Sequence, residues 1–303
     1  MTRPFAVRGT GLPLSRRALL ATGAAWPLMS RARAQVPGRR IVAAGGVITE
    51  ILYALGQQDL LVGVDTTSLH PPAAMQEKAN VGYVRALSAE GVLSLKPTDL
   101  LAVEGAGPPD TIKLIAEAGV RVQRVSEDTS ETGVVTRIRA IGGFAGATAR
   151  AESLAARLEA DFATLGRQRE TIARRKRVLF VLSLQNGRVM VGGAKSSADS
   201  IIQLAGAVNA ASAVEGYKPL TDEGLIAAAP DVVLMMNHNS HAASPDQVFA
   251  QPALSATPAA RSRALIAMDA LYLLGFGPRT PDAARELMAA VYGPVAPIQS
   301  ARP

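Results

Sequence analysis

SAEGVLSLKP (Ser88–Pro97) returns as TDEGLIAAAP (Thr221–Pro230), and a short hydrophobic stretch follows each copy. The likeness reaches upstream: Gly82-Tyr83 precedes the first copy and Gly216-Tyr217 the second, with one residue of difference in spacing. Copies this far apart do not fit a solenoid, whose repeats run to roughly 20–50 residues. They fit two lobes built on one plan, with similar surfaces meeting across a cleft. Ser88 and Thr221 are good helix N-caps, and Glu90 and Glu223 fall in the first turn, where negative charge suits the helix dipole. A glycine follows each glutamate, at Gly91 and Gly224, although glycine inside a helix costs about 1 kcal/mol relative to alanine. Capping does not explain glycine at both places; close approach by another backbone would.

Strands are expected at RIVAAG (40–45), LLVGVD (60–65), DLLAVE (99–104) and VRVQRVS (120–126). Between them lie ITEILYALG (48–56), the first repeat copy and PPDTIKLIAEAG (108–119), the outer two ending in glycine as helices commonly do. Apolar strands separated by helices indicate a parallel sheet covered on both faces. From residue 148 to 175 the chain has no proline and one glycine, with Ala and Leu at three- and four-residue spacing among Arg and Glu. That pattern predicts one long amphipathic helix. The strand–helix alternation resumes at RVLFVLS (177–183), SSADSIIQLAG (196–206), DVVLMMN (231–237) and ALIAMD (264–269). The expected architecture is therefore α/β: a first lobe over 35–147, a connecting helix over 148–176, a second lobe over 177–293 and a tail over 294–303. A single long helix between lobes predicts a stiff connector and only a small bend on closure.

SRRALLATGAAWPLMSRARA (15–34) has paired arginines, a short apolar run and a small-x-small cleavage site at Ala32-Arg33-Ala34. The run is too short to span a bilayer, which needs about 20 residues, so residues 1–34 read as a removable export signal. Arg16-Arg17 fits the twin-arginine type, with an ordinary secretory signal as the alternative. The mature chain is expected to start near Gln35 and to reside in the periplasm. The signal holds six arginines and no acid, so the 32 basic residues fall to 26 in the mature chain, against 25 acidic. That balance gives no support for a nucleic-acid or polybasic membrane partner. With no cysteine present, disulfides, thiol catalysis, Cys-ligated zinc and a lipid-anchored cysteine are excluded.

AAGGVITEILYALG (43–56), VGVDTTS (62–68), VGYVRALSAEGVLSLKP (81–97), NAASAVEGYKPLT (209–221) and AMDALYLLGFGPRT (267–280) carry a resemblance that covers essentially the whole mature chain. They resemble the periplasmic haemin-binding proteins of ATP-driven importers, within the helical-backbone class shared with cobalamin and siderophore binders. The resemblance implies two Rossmann-like lobes with central parallel sheets and haem as a transported ligand rather than a catalytic cofactor. It also implies an importer permease dimer with its ATPase as partners, with an outer-membrane haem supply system as a further partner in view. The family's loop after the second strand carries a tyrosine whose phenolate ligates haem iron; here that loop is DTTSLHPP (65–72), and His70 stands in its place. In the second lobe LMMNHNSHAAS (234–244) puts His238 where the family commonly has an arginine. His70 and His238 are thus the candidate iron ligands, and imidazole is a good one. Arg85 is a candidate propionate partner, and Tyr83 and Tyr217 are candidates to pack on the porphyrin. The resemblance makes Glu90 and Glu223 the permease-docking glutamates.

Each assignment has a plainer alternative. His70, His238 and His241 could be solvated loop residues, Met235 and Met236 core, Arg85 a surface residue, and the Gly-Tyr pairs lobe packing. A cobalamin binder would use tryptophan, and the only one, Trp26, lies in the signal. A siderophore binder usually needs several cleft arginines, and Arg85 with Arg188 is a thin set. A free-metal receptor would need a convergent His/Asp/Glu cluster, but the histidines are few and divided between the lobes; an enzyme would show a Gly-x-Ser-x-Gly, Walker or His-Glu-x-x-His motif, and none of these motifs occurs. GGFAG (142–146) reads as a helix break rather than a dinucleotide loop.

Overall fold

The apolar runs of the first half become a parallel sheet. The computed structural model describes residues 38–185, 188–237 and 244–293. The export segment, its cleavage site, the 294–303 tail, His238 and His241 lie outside the described residues. In the first lobe β1 (Ile41–Ala44), β2 (Leu61–Val64), β3 (Ala79–Asn80), β4 (Asp99–Val103) and β5 (Arg121–Val125) take the order β3-β2-β1-β4-β5, all parallel. Every residue of β1 and β4 is buried, as a strand covered on both faces requires. β5, at the edge, is mostly exposed. Helices α1 (Gly46–Ala54), α2 (Ala73–Glu77), α3 (Ala89–Ser94), α4 (Pro109–Glu117) and α5 (Glu131–Phe144) connect and follow these strands.

The connector α6 (Thr148–Glu170) is a 23-residue helix whose apolar stripe Ala151, Leu154, Ala155, Leu158, Phe162 and Leu165 is buried. It ends five residues short of the expected 175, where the Thr171 hydroxyl donates to the Gln168 carbonyl at 2.8 Å. GGFAG is the α5–α6 junction: α5 ends at Phe144 and Gly146 has φ +71°. A Cβ on Gly142 would lie 2.2 Å from that of Ala151, so glycine there permits the two helices to pack closely.

The second lobe contains β6 (Arg177–Gln185), β7 (Arg188–Gly192), α7 (Ser197–Leu204), β8 (Val208–Asn209), β9 (Tyr217–Leu220), α8 (Asp222–Ala228) and β10 (Val232–Asn237). It continues with α9 (Pro245–Phe249), α10 (Pro252–Ser255), α11 (Pro258–Arg261), β11 (Leu265–Asp269), α12 (Ala270–Leu274) and α13 (Thr280–Tyr292). β11, β10 and β6 form the parallel centre, with β8 parallel to the start of β6. β7 and β9 add an antiparallel edge that the strand–helix alternation did not predict. One buried apolar cluster runs from Ile41 through α6 to Val291 and includes Val178, Phe180 and Ile201, so the lobes share a core across the connector.

The two repeat copies fold alike. The Ser88 hydroxyl accepts the Gly91 N–H at 3.2 Å and the Thr221 hydroxyl accepts the Gly224 N–H at 3.1 Å. Val92 and Leu225, equivalent in the repeat, are both fully buried. Lys96 and Ala229, also equivalent, both have positive φ, 48° and 40°, immediately before a proline. Gly82 and Gly216 match as well, with φ +92° and +71°.

Candidate ligand-binding cleft

Gly45-Gly46 ends β1 and opens α1. A Cβ on Gly46 would lie 2.1 Å from the Thr67 carbonyl oxygen, so the loop after β2 can pack directly on this turn. Asp65, wholly buried, holds that loop down. Its Oδ1 accepts from the Gly45 N–H at 2.9 Å and the Ser68 hydroxyl at 3.1 Å. Its Oδ2 accepts from the Thr67 N–H at 2.9 Å and the Thr67 hydroxyl at 2.6 Å. The loop that carries His70 therefore rests on a fixed polar base, and its next residues face the space between the lobes.

Two adjoining cavities of about 470 and 320 Å³ occupy that space and share Arg85, Val103, Glu127, Leu274 and Gly275. The larger is mainly apolar, walled by Leu69, Tyr83, Met236, Leu271 and Leu274. The smaller is polar, with Thr129, Arg137, Lys195, Ser196, Ser197 and Tyr217. Their first-lobe walls follow β1, β2, β4 and β5, at the carboxyl ends of the strands, where ligands of open α/β sheets bind. Cavities of about 590 and 500 Å³ exist elsewhere, one beside α6 and α7, the other between β5 and α5, but neither is lined by the loop after β2 or by β10.

Of the sequence-selected residues, Tyr83, Arg85, Tyr217 and Met236 come together in this cleft. Tyr83 is 48% exposed, and Arg85 has no hydrogen bond or ion pair with another described residue. The Tyr217 hydroxyl lies 2.7 Å from that of Ser197, and its ring meets Phe180 edge-on at 6.2 Å. His70 is half-buried beside Leu69; Leu69 lines the wall and His70 does not. Met235 packs into the smaller core cluster of the second lobe. Glu90 and Glu223 are exposed on the caps of α3 and α8, away from the cleft lining. Among the described residues, no group of three or more His, Asp or Glu could hold a free metal ion.

Residues in the cleft and behind it escaped the sequence reading. Arg137 is 4% exposed, and its guanidinium donates to the carbonyls of Ser126 (2.6 Å), Phe276 (2.6 Å) and Asp128 (2.9 Å). Burial lowers its pKa, against the opposing charges of Glu127, Asp128 and Glu104. Glu50 accepts a two-point ion pair from Arg279 at 2.8 and 3.0 Å, tying α1 to the start of α13. Asp65-Thr-Thr-Ser directly after a strand was the available signal for the loop anchor, and for Arg137 it was its place on the apolar face of α5 with Val134, Ile138 and Ile141.

The sequence profile described as "Periplasmic binding protein" matches residues 41–272. The apo structure of the periplasmic heme-binding protein RhuT from Roseiflexus sp. RS-1 is 39% identical, with 84% of this chain and 98% of that chain covered at a TM-score of 0.79. The periplasmic heme-binding protein BhuT in complex with two hemes is 38% identical, with 84% and 97% covered at a TM-score of 0.79. The uncharacterized ABC transporter substrate-binding lipoprotein YvrC of Bacillus subtilis (strain 168) is 26% identical over 257 residues, 84% of this chain and 80% of that protein. Among the described residues no helix is long and apolar enough to cross a membrane.

Proposed function

The chain belongs to the periplasmic binding protein family, and from that premise we propose that it captures haem between its lobes and delivers it to the permease of an ATP-driven importer. It is a binding protein, not an enzyme. The observation that carries the haem reading is the composition of the cleft: an apolar compartment with Tyr83 and Met236 in its wall, bordered by Arg85, which pairs with no other described residue. Such a site suits a flat apolar ligand with anionic substituents. The likeness to RhuT and BhuT supports the same choice.

His70 takes the role of axial ligand in this reading, on a loop whose base Asp65 fixes. A small outward turn at Leu69–His70 brings the imidazole to the wall that Leu69 now forms. His238 is its partner from the second lobe, at the end of the segment that carries Met236. Imidazole in place of phenolate removes one negative charge from the iron's surroundings, which weakens ferric preference. Tyr83 and Tyr217 pack against the ring, and Arg85 meets a propionate. Glu90 and Glu223, exposed on helices of matching geometry, are the permease contacts. An exposed ion pair is worth about 0–1 kcal/mol, so they supply orientation more than affinity.

The test is a haemin titration followed by absorption spectroscopy, with His70→Ala and His238→Ala alongside. Saturable binding with a low-spin spectrum that needs both histidines is the expected result. Loss with His70→Ala alone leaves one axial imidazole. No saturable spectral change in the wild type overturns the haem reading, and cobalamin and ferric siderophores become the ligands to screen.

A further inference from the structure

The near-neutral total of the chain beyond residue 34 hides an uneven distribution of charge. Residues 167–177, RQRETIARRKR, hold six of its 26 basic residues against one acid, Glu170, which leaves 20 basic and 24 acidic residues elsewhere. The stretch covers the last turn of α6 and the turn into β6. It therefore sits at the amino end of the second sheet, whereas Met236 and Leu271, at the carboxyl ends of β10 and β11, face the cleft.

Part of this charge has a structural use. The Lys176 ammonium donates to the Val291 carbonyl at 2.7 Å and the Arg177 guanidinium to the Ala228 carbonyl at 2.8 Å, at the ends of α13 and α8. Cations suit the carboxyl ends of helices. Arg169 pairs with Glu131 at 3.0 Å. The rest is uncommitted. Arg174 and Arg175 are exposed and make no hydrogen bond or ion pair with another described residue, and exposed Arg167 reaches the Thr164 hydroxyl. Closing the turn into β6 does not need them.

A protein partner is recognised through an apolar centre ringed by polar groups. The surface beside these arginines is polar: the cavity of about 590 Å³ next to it is lined by Arg169, Glu170, Arg175, Gln203 and Ser212, with Val208 its one large apolar side chain. An anionic bilayer needs no apolar centre. Each Lys or Arg near its surface gives roughly a fivefold gain in partition, and the attraction fades within a Debye length. We propose that residues 167–177 form a docking surface for anionic phospholipid headgroups, with Arg167, Arg174 and Arg175 as the contacts. The acidic remainder of the chain is repelled by the same surface, so the asymmetry of charge sets the pose as well as the attraction. Docked in this way the receptor waits at the membrane with its cleft turned away from the bilayer and open to load. Delivery to a permease requires it to leave this pose, which weak, salt-screened binding permits.

The experiment uses the chain from Gln35 onward, which holds both lobes and their shared core without the arginines of the export segment. It is sedimented with vesicles of phosphatidylcholine, alone or with about one-third phosphatidylglycerol, at low salt and at about 0.5 M salt. Binding is expected to the phosphatidylglycerol vesicles at low salt, and it should vanish at high salt or without the anionic lipid. Arg174→Glu/Arg175→Glu should weaken it about tenfold or more. Arg150→Glu/Arg157→Glu makes the same charge change at exposed positions of α6 outside the stretch and should leave binding within about twofold. All four positions are exposed, and an unchanged Tm confirms that each variant is folded. Equal weakening by the two pairs, or vesicle binding that survives Arg174→Glu/Arg175→Glu, overturns the docking surface. A wild type that ignores both kinds of vesicle overturns it too; retention on immobilised polyglutamate that this variant loses would then assign the arginines to an acidic protein. The haem reading stands or falls separately, on the haemin titration.

Discussion

Asp65 has both carboxylate oxygens engaged, by two backbone N–H groups and two hydroxyls, in a position with no solvent contact. Asp65→Ala strands those donors, and an unsatisfied buried group costs about 1–3 kcal/mol. The variant should lose at least about 3 kcal/mol of unfolding free energy by urea titration, and a loss well below that would mean the loop finds support elsewhere. Tyr53, Tyr272 and Tyr292 are each held above the ordinary tyrosine range, first of all by burial, and Tyr272 has the large shift. Its hydroxyl is pushed up to about 12 by burial first, then by the charges of Glu286 and Asp282 and a hydrogen bond to Glu286, with Arg279 opposing. The folded value lies above the ordinary value of about 10. The stability this hydroxyl contributes is therefore whole below about pH 10 and is lost as the pH rises toward the folded value. Tyr272→Phe has no such proton to lose, so its Tm should fall less steeply than that of the wild type above pH ~10; parallel declines would assign the alkaline limb to other groups.

The helices α3 and α8 are where glycine must be explained. A Cβ on Gly91 would sit 3.5 Å from the Ser88 Cβ, an ordinary contact, so the fold itself leaves room for alanine. On Gly224 it would sit 3.0 Å from Leu220 Cγ, and Leu220 would have to shift. Gly91→Ala should leave Tm unchanged or raise stability by up to about 1 kcal/mol. If a permease backbone approaches this helix, the same variant should reduce haem uptake in cells while haemin affinity holds; unimpaired uptake would remove that explanation. Both helices were legible in the sequence because cap, acid and apolar positions agree locally. β9 was not: Tyr217-Lys-Pro-Leu is largely exposed, and only its pairing with β7 makes it a strand. Arg137 was illegible for a related reason. It shares the buried face of α5 with Val134, Ile138 and Ile141, and its burial depends on carbonyls at 126, 128 and 276, the last from the far end of the chain, which no local pattern announces. The cleft tyrosines and Arg85 could be read because they flank the repeated element.

Among the described residues of the molecule, the shared core is reinforced by side-chain ties between the lobes: Thr129 with Ser200 at 2.6 Å, Arg137 with the Phe276 carbonyl at 2.6 Å, and Glu50 with Arg279. Arg279→Leu leaves the Glu50 carboxylate, 6% exposed, without its cation. The expected destabilisation is about 3 kcal/mol, and the double variant Glu50→Leu/Arg279→Leu should recover part of it; a double variant no better than the single would show that the pair does not act as a unit. Small-angle scattering of the empty and haemin-loaded protein should give nearly superimposable curves, whereas a clear contraction would contradict the stiff connector inferred from α6.

Arg39 has a practical bearing of its own. Its guanidinium lies over the Phe144 ring at 4.3 Å and pairs with Asp99 at 3.2 Å, at the amino ends of β1 and β4. Gly38, the first described residue, therefore lies near the end of the sheet opposite the one that bears the cleft. An affinity tag or solid support attached there leaves the mouth unobstructed, so the receptor can be mounted on a sensor surface by its leading end and still fill from solution.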